Sequence, residues 1–260
     1  MFSRYIDFNC DMGESDLHTW QNIDKAILPW VSSINLACGV HGGDPKVMEE
    51  TLLEAKRLGI AVGAHPGPWD RENKGRGGEK PSPEEIPALI RYQIGALKSI
   101  ADPIGIPIQH VKPHGTLYHE VHNNYAAARA FVNTIKEFDP SLIIIGQAPS
   151  YLKDETEQSG LLFAKEGFVD RAYQGNGKLV PRDQDGALLE NSSKIIMQAL
   201  EIVMDNYVTT INGNKIPIEV ETICIHSDTP NAPKLAQLVW EALRNKGYTL
   251  ISLKDAVCRK

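Results

Sequence analysis

The chain reads as an α/β protein: a single parallel β/α barrel of seven or eight strands with an inserted β-hairpin. Three observations predict it. Short apolar runs of strand length alternate with amphipathic helical stretches along the whole chain. Four of those runs, at residues 6–11, 34–41, 60–65 and 223–228, end in acids or histidines, and a parallel barrel builds one active site from the ends of many strands. The 260 residues suit one such barrel, and no stretch has linker composition, so the domain is expected to span residues 1–260. An open, doubly wound sheet has the same alternation, and period alone does not separate the two.

The first strand, residues 6–11, runs into a polar loop that reaches His18. The second empties into Cys38-Gly39-Val40-His41-Gly42-Gly43-Asp44-Pro45. Asp44 is placed to cap a helix, and Pro45 falls in its first turn, where a missing N–H costs nothing. Val47, Met48, Leu52, Ala55 and Leu58 form an apolar stripe at helical spacing; Gly59 ends that helix and a third strand starts at Ile60. The loop over residues 65–80 is long and rich in Gly, Pro and charge, which predicts a lid or flap. Ser82-Pro83-Glu84-Glu85 is a capping box that opens a helix with Ile86, Leu89, Ile90 and Leu97 on one face. Strands at 109–112, 142–145 and 161–164 follow, with a helix over 125–138 and a short one near Tyr151. Residues 168–185 are irregular, with a tight turn at Gly175-Asn176-Gly177. Residues 208–220 predict a hairpin turning at Asn212-Gly213, since Asn-Gly tolerates the positive φ such turns require. A strand at 222–225, a helix over 232–246 and a strand at 248–253 complete the series.

Composition narrows the function. The hydrophobic fraction of 42% is enough for a sizeable core, and the net charge is −6. No basic cluster suggests nucleic acid, no apolar run has the length of a membrane span, and residues 1–20 carry acids instead of a signal-peptide core. Four cysteines occur without a C-x-x-C pair, which indicates neither a zinc knuckle nor a disulfide framework. A cytoplasmic enzyme acting on a small molecule is the expectation.

Asp11 and Glu14 follow the first strand, where carboxylates serve as metal ligands, as a base or as anchors for a substrate amine; loop capping is the plain alternative. His41 beside Gly42-Gly43, at the start of a helix, suits an anion such as a carboxylate or phosphate. There is no G-x-x-x-x-G-K-[ST] phosphate loop. His65, Lys112 and His114 follow the third and fourth strands. With Asp11 they have the donor types of a divalent-metal site, or of a general base with Lys112 stabilising an oxyanion. The spacing matches no H-E-x-x-H signature, so no metal is assigned; if one is present, Asp11, His65 and His114 are its ligands. His18, His110, His119 and His122 read as core or rim histidines. Arg182 is a candidate carboxylate clamp, whereas Arg171 reads as surface charge. His226 and Asp228 repeat the strand-end logic, and Cys10 and Cys38 read as small buried thiols.

The same residues carry a likeness to a known family. Phe8-Asn9-Cys10-Asp11-Met12-Gly13-Glu14, Asn35-Leu36-Ala37-Cys38-Gly39-Val40-His41-Gly42-Gly43-Asp44-Pro45, Gly63-Ala64-His65-Pro66-Gly67, Val111-Lys112-Pro113-His114-Gly115-Thr116-Leu117-Tyr118 and Ile225-His226-Ser227-Asp228-Thr229-Pro230 resemble the LamB/YcsF family, the A subunit of bacterial 5-oxoprolinase. Asp170-Arg171-Ala172-Tyr173 and Leu179-Val180-Pro181-Arg182 resemble its stretch between later strands. Gly42 stands where alanine is common, and Pro68-Trp69-Asp70 replaces an aromatic-first sequence; neither departure touches a candidate acid, base or histidine.

The resemblance implies ATP-dependent opening of 5-oxoproline to glutamate together with subunits B and C, on a barrel related to the glycosidase and polysaccharide-deacetylase superfamily. Phosphorylating the carbonyl oxygen of an unstrained lactam makes its carbon electrophilic and the oxygen a leaving group. The chain would supply a base for water, donors for developing charge and a clamp for the α-carboxylate. Asp11, His65, Lys112 and His114 are the expected catalytic residues. Glu14, Asn35, His41, Gly42, Gly43, Arg182, His226 and Asp228 are expected to bind substrate, with ATP used through partner subunits. Two rivals stand beside this reading: a metal-dependent carbohydrate deacetylase or amidohydrolase working without ATP, and a non-catalytic subunit that presents substrate.

Overall fold

A computed structural model describes residues 4–77 and 80–259. Residues 1–3 of the segment read for a signal peptide, and residues 78 and 79 of the predicted lid, lie outside the described residues.

Strand β1 (Arg4–Met12) shows how the barrel closes. Parallel strands β2 (Ser33–Ala37), β3 (Ala61–His65), β4 (Ile108–Val111), β5 (Ile143–Gly146) and β6 (Phe163–Phe168) follow one another around the wall. After the antiparallel hairpin β7 (Tyr207–Thr209) and β8 (Lys215–Pro217), strand β9 (Thr222–His226) fits between β6 and β1 and completes a seven-stranded cylinder. An eighth parallel strand, β10 (Tyr248–Leu250), pairs among the described residues only with Arg4–Ile6 at the start of β1. The closed ring decides between the barrel and the open sheet.

The β1–β2 connection carries two single-turn helices, α1 (Leu17–Thr19) and α2 (Lys25–Ile27). Between later strands run α3 (Pro45–Leu58), α4 (Ile86–Ile104), α5 (Gly115–Asn123), α6 (Tyr125–Phe138), α7 (Tyr151–Gln158), α8 (Ser192–Asp205) and α9 (Ala232–Asn245), and α10 (Leu253–Cys258) follows β10. Asp44 caps α3 as expected, accepting from the N–H groups of Lys46 and Val47. The Glu85 carboxylate accepts from the Ser82 N–H at 2.7 Å, half of the predicted box.

Several elements differ from expectation. Helix α8 is missing from the expected elements although Ile195, Ala199 and Ile202 lie at helical spacing behind an Asn191 cap; the buried polar residues Gln198 and Glu201 lie beside that stripe. The last strand stops at Leu250, and Ser252 caps α10 in place of a continuing strand. In the hairpin only Gly213 has positive φ, 81°. The connection is a wider loop closed by Thr210 N–H to Asn214 C=O, not a two-residue turn with Asn212 left-handed.

Side chains alternate along the wall. Phe8, Cys10, Ile34, Leu36, Val62 and Val111 join the core shared with the helices, each large one contributing about 1.5–3 kcal/mol by burial. The barrel interior is polar instead. Asp7 accepts from the hydroxyls of Ser32, Ser33 and Thr222. Asn9 donates to Glu166 and Thr222 and accepts from the Asn35 amide. His110 reaches Asn35 Oδ1 at 2.9 Å. Its ring occupies the space beside Gly63, where a Cβ would lie 2.0 Å from His110 Cδ2, so this layer of the barrel requires glycine there.

Register sets the site. Asp11 pairs with Asn35 on one side and His226 on the other, and Ala37 pairs with His65. The strand-end groups therefore lie at one rim. Among the described residues, no helix is long and apolar enough to cross a membrane.

Candidate active site

Asp11, at the inner end of β1, is the hub. Its Oδ1 accepts from Lys112 Nζ and from the Asn35 amide, both at 2.8 Å, and its Oδ2 lies 3.2 Å from His65 Nε2 and 3.9 Å from His226 Nε2. Burial alone would raise this carboxyl, but the His65 and Lys112 charges outweigh it and hold Asp11 well below the ordinary carboxylate value. Lys112 is opposed by its own burial, yet Asp11 and then Cys224 and Glu166 keep its ammonium protonated. Its three partners, Asp11, Glu166 at 2.7 Å and the Cys224 sulfur at 3.2 Å, match the three donors an ammonium has. Lys112 is thus an internal counter-ion with no N–H free in this arrangement for the oxyanion role expected of it. Burial pushes the Glu166 carboxyl up, with Lys112 opposing and Asp11 adding to the rise.

Backbone carbonyls fix the two imidazoles. His65 Nδ1 lies 2.8 Å from the Lys112 carbonyl and His114 Nε2 lies 2.8 Å from the Lys74 carbonyl. A carbonyl only accepts, so those nitrogens carry the protons. The other two ring nitrogens then face each other, His65 Nε2 to His114 Nδ1 at 2.8 Å. Glu14 Oε1 sits 3.1 Å from His114 Nδ1 and is otherwise enclosed without a hydrogen-bond donor. Burial, then the His65 and Arg76 charges, push His114 well below its ordinary value. Two carboxylate oxygens and two imidazole nitrogens thus lie within 4.8 Å of one another. Such a set calls for a shared proton or a divalent cation, and its donor types fit the latter. Glu14 adds a fourth candidate donor to the three expected.

A third imidazole faces the same place. His226 Nδ1 lies 3.0 Å from Asp170 Oδ2, and Asp170 also accepts from the His226 backbone N–H and the Thr229 hydroxyl. Burial would raise Asp170, but the His226 charge and these hydrogen bonds bring it down to about 2. The ionised carboxylate fixes the ring so that Nε2 points toward Asp11.

Asp11, His65, Lys112, His114, His226, Arg171 and Arg182 border one cavity of about 740 Å³, within the range of ligand pockets. Several expected binding residues lie behind it. Asn35 is fully buried and orients Asp11. His41 stacks on His114 with ring centres 4.1 Å apart. Gly42 and Gly43 do not form the anion nest expected of them. A Cβ at Gly42 would lie 2.7 Å from the Glu14 carbonyl and one at Gly43 2.5 Å from that of Gly13. The pair lets two loops touch, and the Asp44 carboxylate already occupies the N-terminus of α3. Asp228 stands at the rim, 2.9 Å from Arg182 and 3.5 Å from Arg76.

The predicted lid lies against the mouth, where Lys74 meets His114 and Arg76 meets Glu14 at 3.1 Å. His110 and His122 are buried as expected. Cys10 and Cys38 are buried thiols, Cys38 pushed up to about 12 by burial. Arg171 is not the surface charge its sequence context suggests, since it is only 5% exposed. Glu166 and Asp170 join the site without having been among its expected members; Asp170, two residues past the end of β6, obeys the strand-end rule that marks Asp11.

Comparison with known proteins covers the whole barrel. The LamB/YcsF family pattern matches residues 6–258. The chain is 38% identical over 252 residues to a protein of Pyrococcus horikoshii named as the A subunit of 5-oxoprolinase, covering 97% of this chain and 99% of that one. The crystal structure of a lactam utilization protein from Thermus thermophilus superposes with a TM-score of 0.89 at 39% identity, over 95% of this chain and 99% of that one. A deacetylase crystallised with its substrate has a TM-score of 0.53 at 13% identity, over 99% of this chain and 92% of that one, a likeness of fold alone. From the first barrel strand to the last helix, this chain belongs to the LamB/YcsF family.

Proposed function

We propose that this chain opens the ring of 5-oxoproline to give glutamate, as the A subunit of an ATP-dependent 5-oxoprolinase whose B and C subunits phosphorylate the lactam. The observation that carries this reading is the Asp11 centre in the lining of a ligand-sized cavity, in a chain whose full-length relative bears that name.

The chemistry constrains the roles. Water adds to the carbon of the O-phosphorylated lactam while a base takes its proton. Expelling phosphate at that stage would only return the lactam, so the carbon–nitrogen bond must break, with a proton delivered to the nitrogen. The resulting acyl phosphate takes a second water and releases phosphate, leaving glutamate. The facing nitrogens of His65 and His114, beside ionised Asp11, form the pair placed to accept the proton of water. His226, fixed by Asp170, is placed to hand a proton to the departing nitrogen. Lys112 keeps Asp11 ionised and in position. Asp11, Glu14, His65 and His114 are the residues that would hold a divalent metal, which would polarise an oxygen and acidify a bound water.

Glutamate release from 5-oxoproline tests the reading, with and without ATP, by the chain alone and with subunits B and C. Release that requires ATP and all subunits is expected. A second reading, a metal-dependent amidohydrolase, is favoured by the four converging acceptors. It gains if the chain alone hydrolyses an N-acyl sugar without ATP and loses that activity to a chelator.

A further inference from the structure

Among the described residues, Arg171 is a buried cation without an anion. Within that set only its Nη2 finds a protein acceptor, the Val180 carbonyl at 2.7 Å, while Nε is enclosed with none. Among the described residues no carboxylate pairs with it. Asp170 is engaged by His226 and Thr229, and Asp228 by Arg182 and Arg76. Four other basic side chains of the cavity differ. Arg76, Lys80, Lys112 and Arg182 each have an acidic partner within 3.1 Å. Lys178, from the same irregular stretch as Arg171, has among the described residues only the neutral Asn123 amide oxygen.

Removing a guanidinium from water without a counter-ion is costly, and here the backbone is fixed so that the cost stands. Gln198 of α8 donates to the carbonyls of Phe168 and Arg171, both at 2.8 Å, and Arg171 bridges Leu188. Burial and then the Arg182 charge bring the Arg171 guanidinium down to about 10, and desolvation followed by the charges of Arg171, Lys80 and Arg182 lowers the neighbouring His119.

We infer that Arg171, assisted by Lys178, is the recognition site for an oxyanion of the ligand, a carboxylate or a phosphoryl group, in the wall of the Asp11 cavity. A rigid guanidinium fork suits either anion. The inference deepens the ring-opening reading, since both the α-carboxylate of 5-oxoproline and the phosphoryl group of its activated form have this chemistry. It rests on that reading for the ligand's name and not for the site's existence.

Calorimetric titration of the purified chain tests it with three probes: 5-oxoproline, 2-pyrrolidinone (the same ring without the carboxylate) and inorganic phosphate. Arg171→Gln is expected to weaken at least one anion roughly 10- to 100-fold and to leave 2-pyrrolidinone unchanged. Loss confined to 5-oxoproline identifies the carboxylate, loss confined to phosphate the phosphoryl group, and loss of both a fork that accepts either. Arg171→Lys and the exposed Lys178→Gln, expected to weaken the same anion several-fold, carry the test should Arg171→Gln fail to fold. Unchanged affinity for both anions in the folded variants overturns the proposal, as does failure of the wild-type chain to bind either anion at millimolar concentration. Intact, Arg171-dependent anion binding in a complex that releases no glutamate would instead count against the reaction and leave the subsite standing.

Discussion

Asp7 and Asp11 sit four residues apart on the same inner face of β1, both essentially buried, and their electrostatics run in opposite directions. Asp7 is surrounded by the hydroxyls of Ser32, Ser33 and Thr222, and burial pushes its carboxyl up to about 6. Asp11 meets an ammonium and imidazoles at the cavity floor, which hold it well below its ordinary value. Burial of an acid therefore does not make a site. What separates the two is a charged partner and an opening onto space for a ligand: Asp7 serves as a hydrogen-bonded plug, and Asp11 organises reactive groups.

The contrast can be broken most forcefully at Lys112. Lys112→Met leaves Asp11 and Glu166 in the barrel without their shared cation, and should cost about 3–5 kcal/mol of stability in denaturant unfolding; a variant as stable as wild type would show that the ammonium is not what distinguishes the Asp11 layer. Asp170→Asn replaces the ionised carboxylate that fixes His226 with a neutral amide. It should lower kcat for glutamate formation roughly 100-fold or more with little change in KM, whereas a variant changed only in KM would place His226 in binding.

Asp7→Asn sharpens the other side. The folded-state value of about 6 lies above the ordinary 3.8, so folding favours the protonated carboxyl. That contribution is full below about pH 4 and is lost as the pH rises through 6, on the order of 3 kcal/mol across the window. Wild-type stability relative to Asp7→Asn should therefore decline between these pH values. Asp24, also raised to about 6, is present in both proteins and cancels in the difference, so a flat difference curve would refute the assignment. Smallest is Arg182→Gln at the rim, where loss of the Asp228 pair should change stability by less than about 1 kcal/mol and raise KM a few-fold in steady-state assays.

How far the site is legible in the sequence follows from the same strand geometry. Asp11, His65, His114 and His226 can be read because each closes an apolar run, and the register brings those ends together. Glu166 cannot, because β6 reads Phe163-Ala164-Lys165-Glu166-Gly167-Phe168. A polar residue pointing into a polar barrel interior has the same alternation as one pointing into water. The role of Gln198 is hidden for a related reason, since it is buried to hold the carbonyls of Phe168 and Arg171 and not to pack. Arg171 escapes a sequence reading because an arginine in an irregular stretch resembles surface charge until the chain folds around it. The glycine pair at Gly42-Gly43 shows the reverse error: a backbone without side chains suits an anion in sequence, but in three dimensions it admits another loop.

The most direct measurement is the rate of glutamate formation from 5-oxoproline by the complete complex with ATP, comparing Asp11→Asn with Asp7→Asn. Loss of at least roughly 10³-fold in the folded Asp11 variant, with the Asp7 variant within a few-fold of wild type, is the predicted result. Comparable rates for the two variants would contradict the assignment of the chemistry to the Asp11 layer.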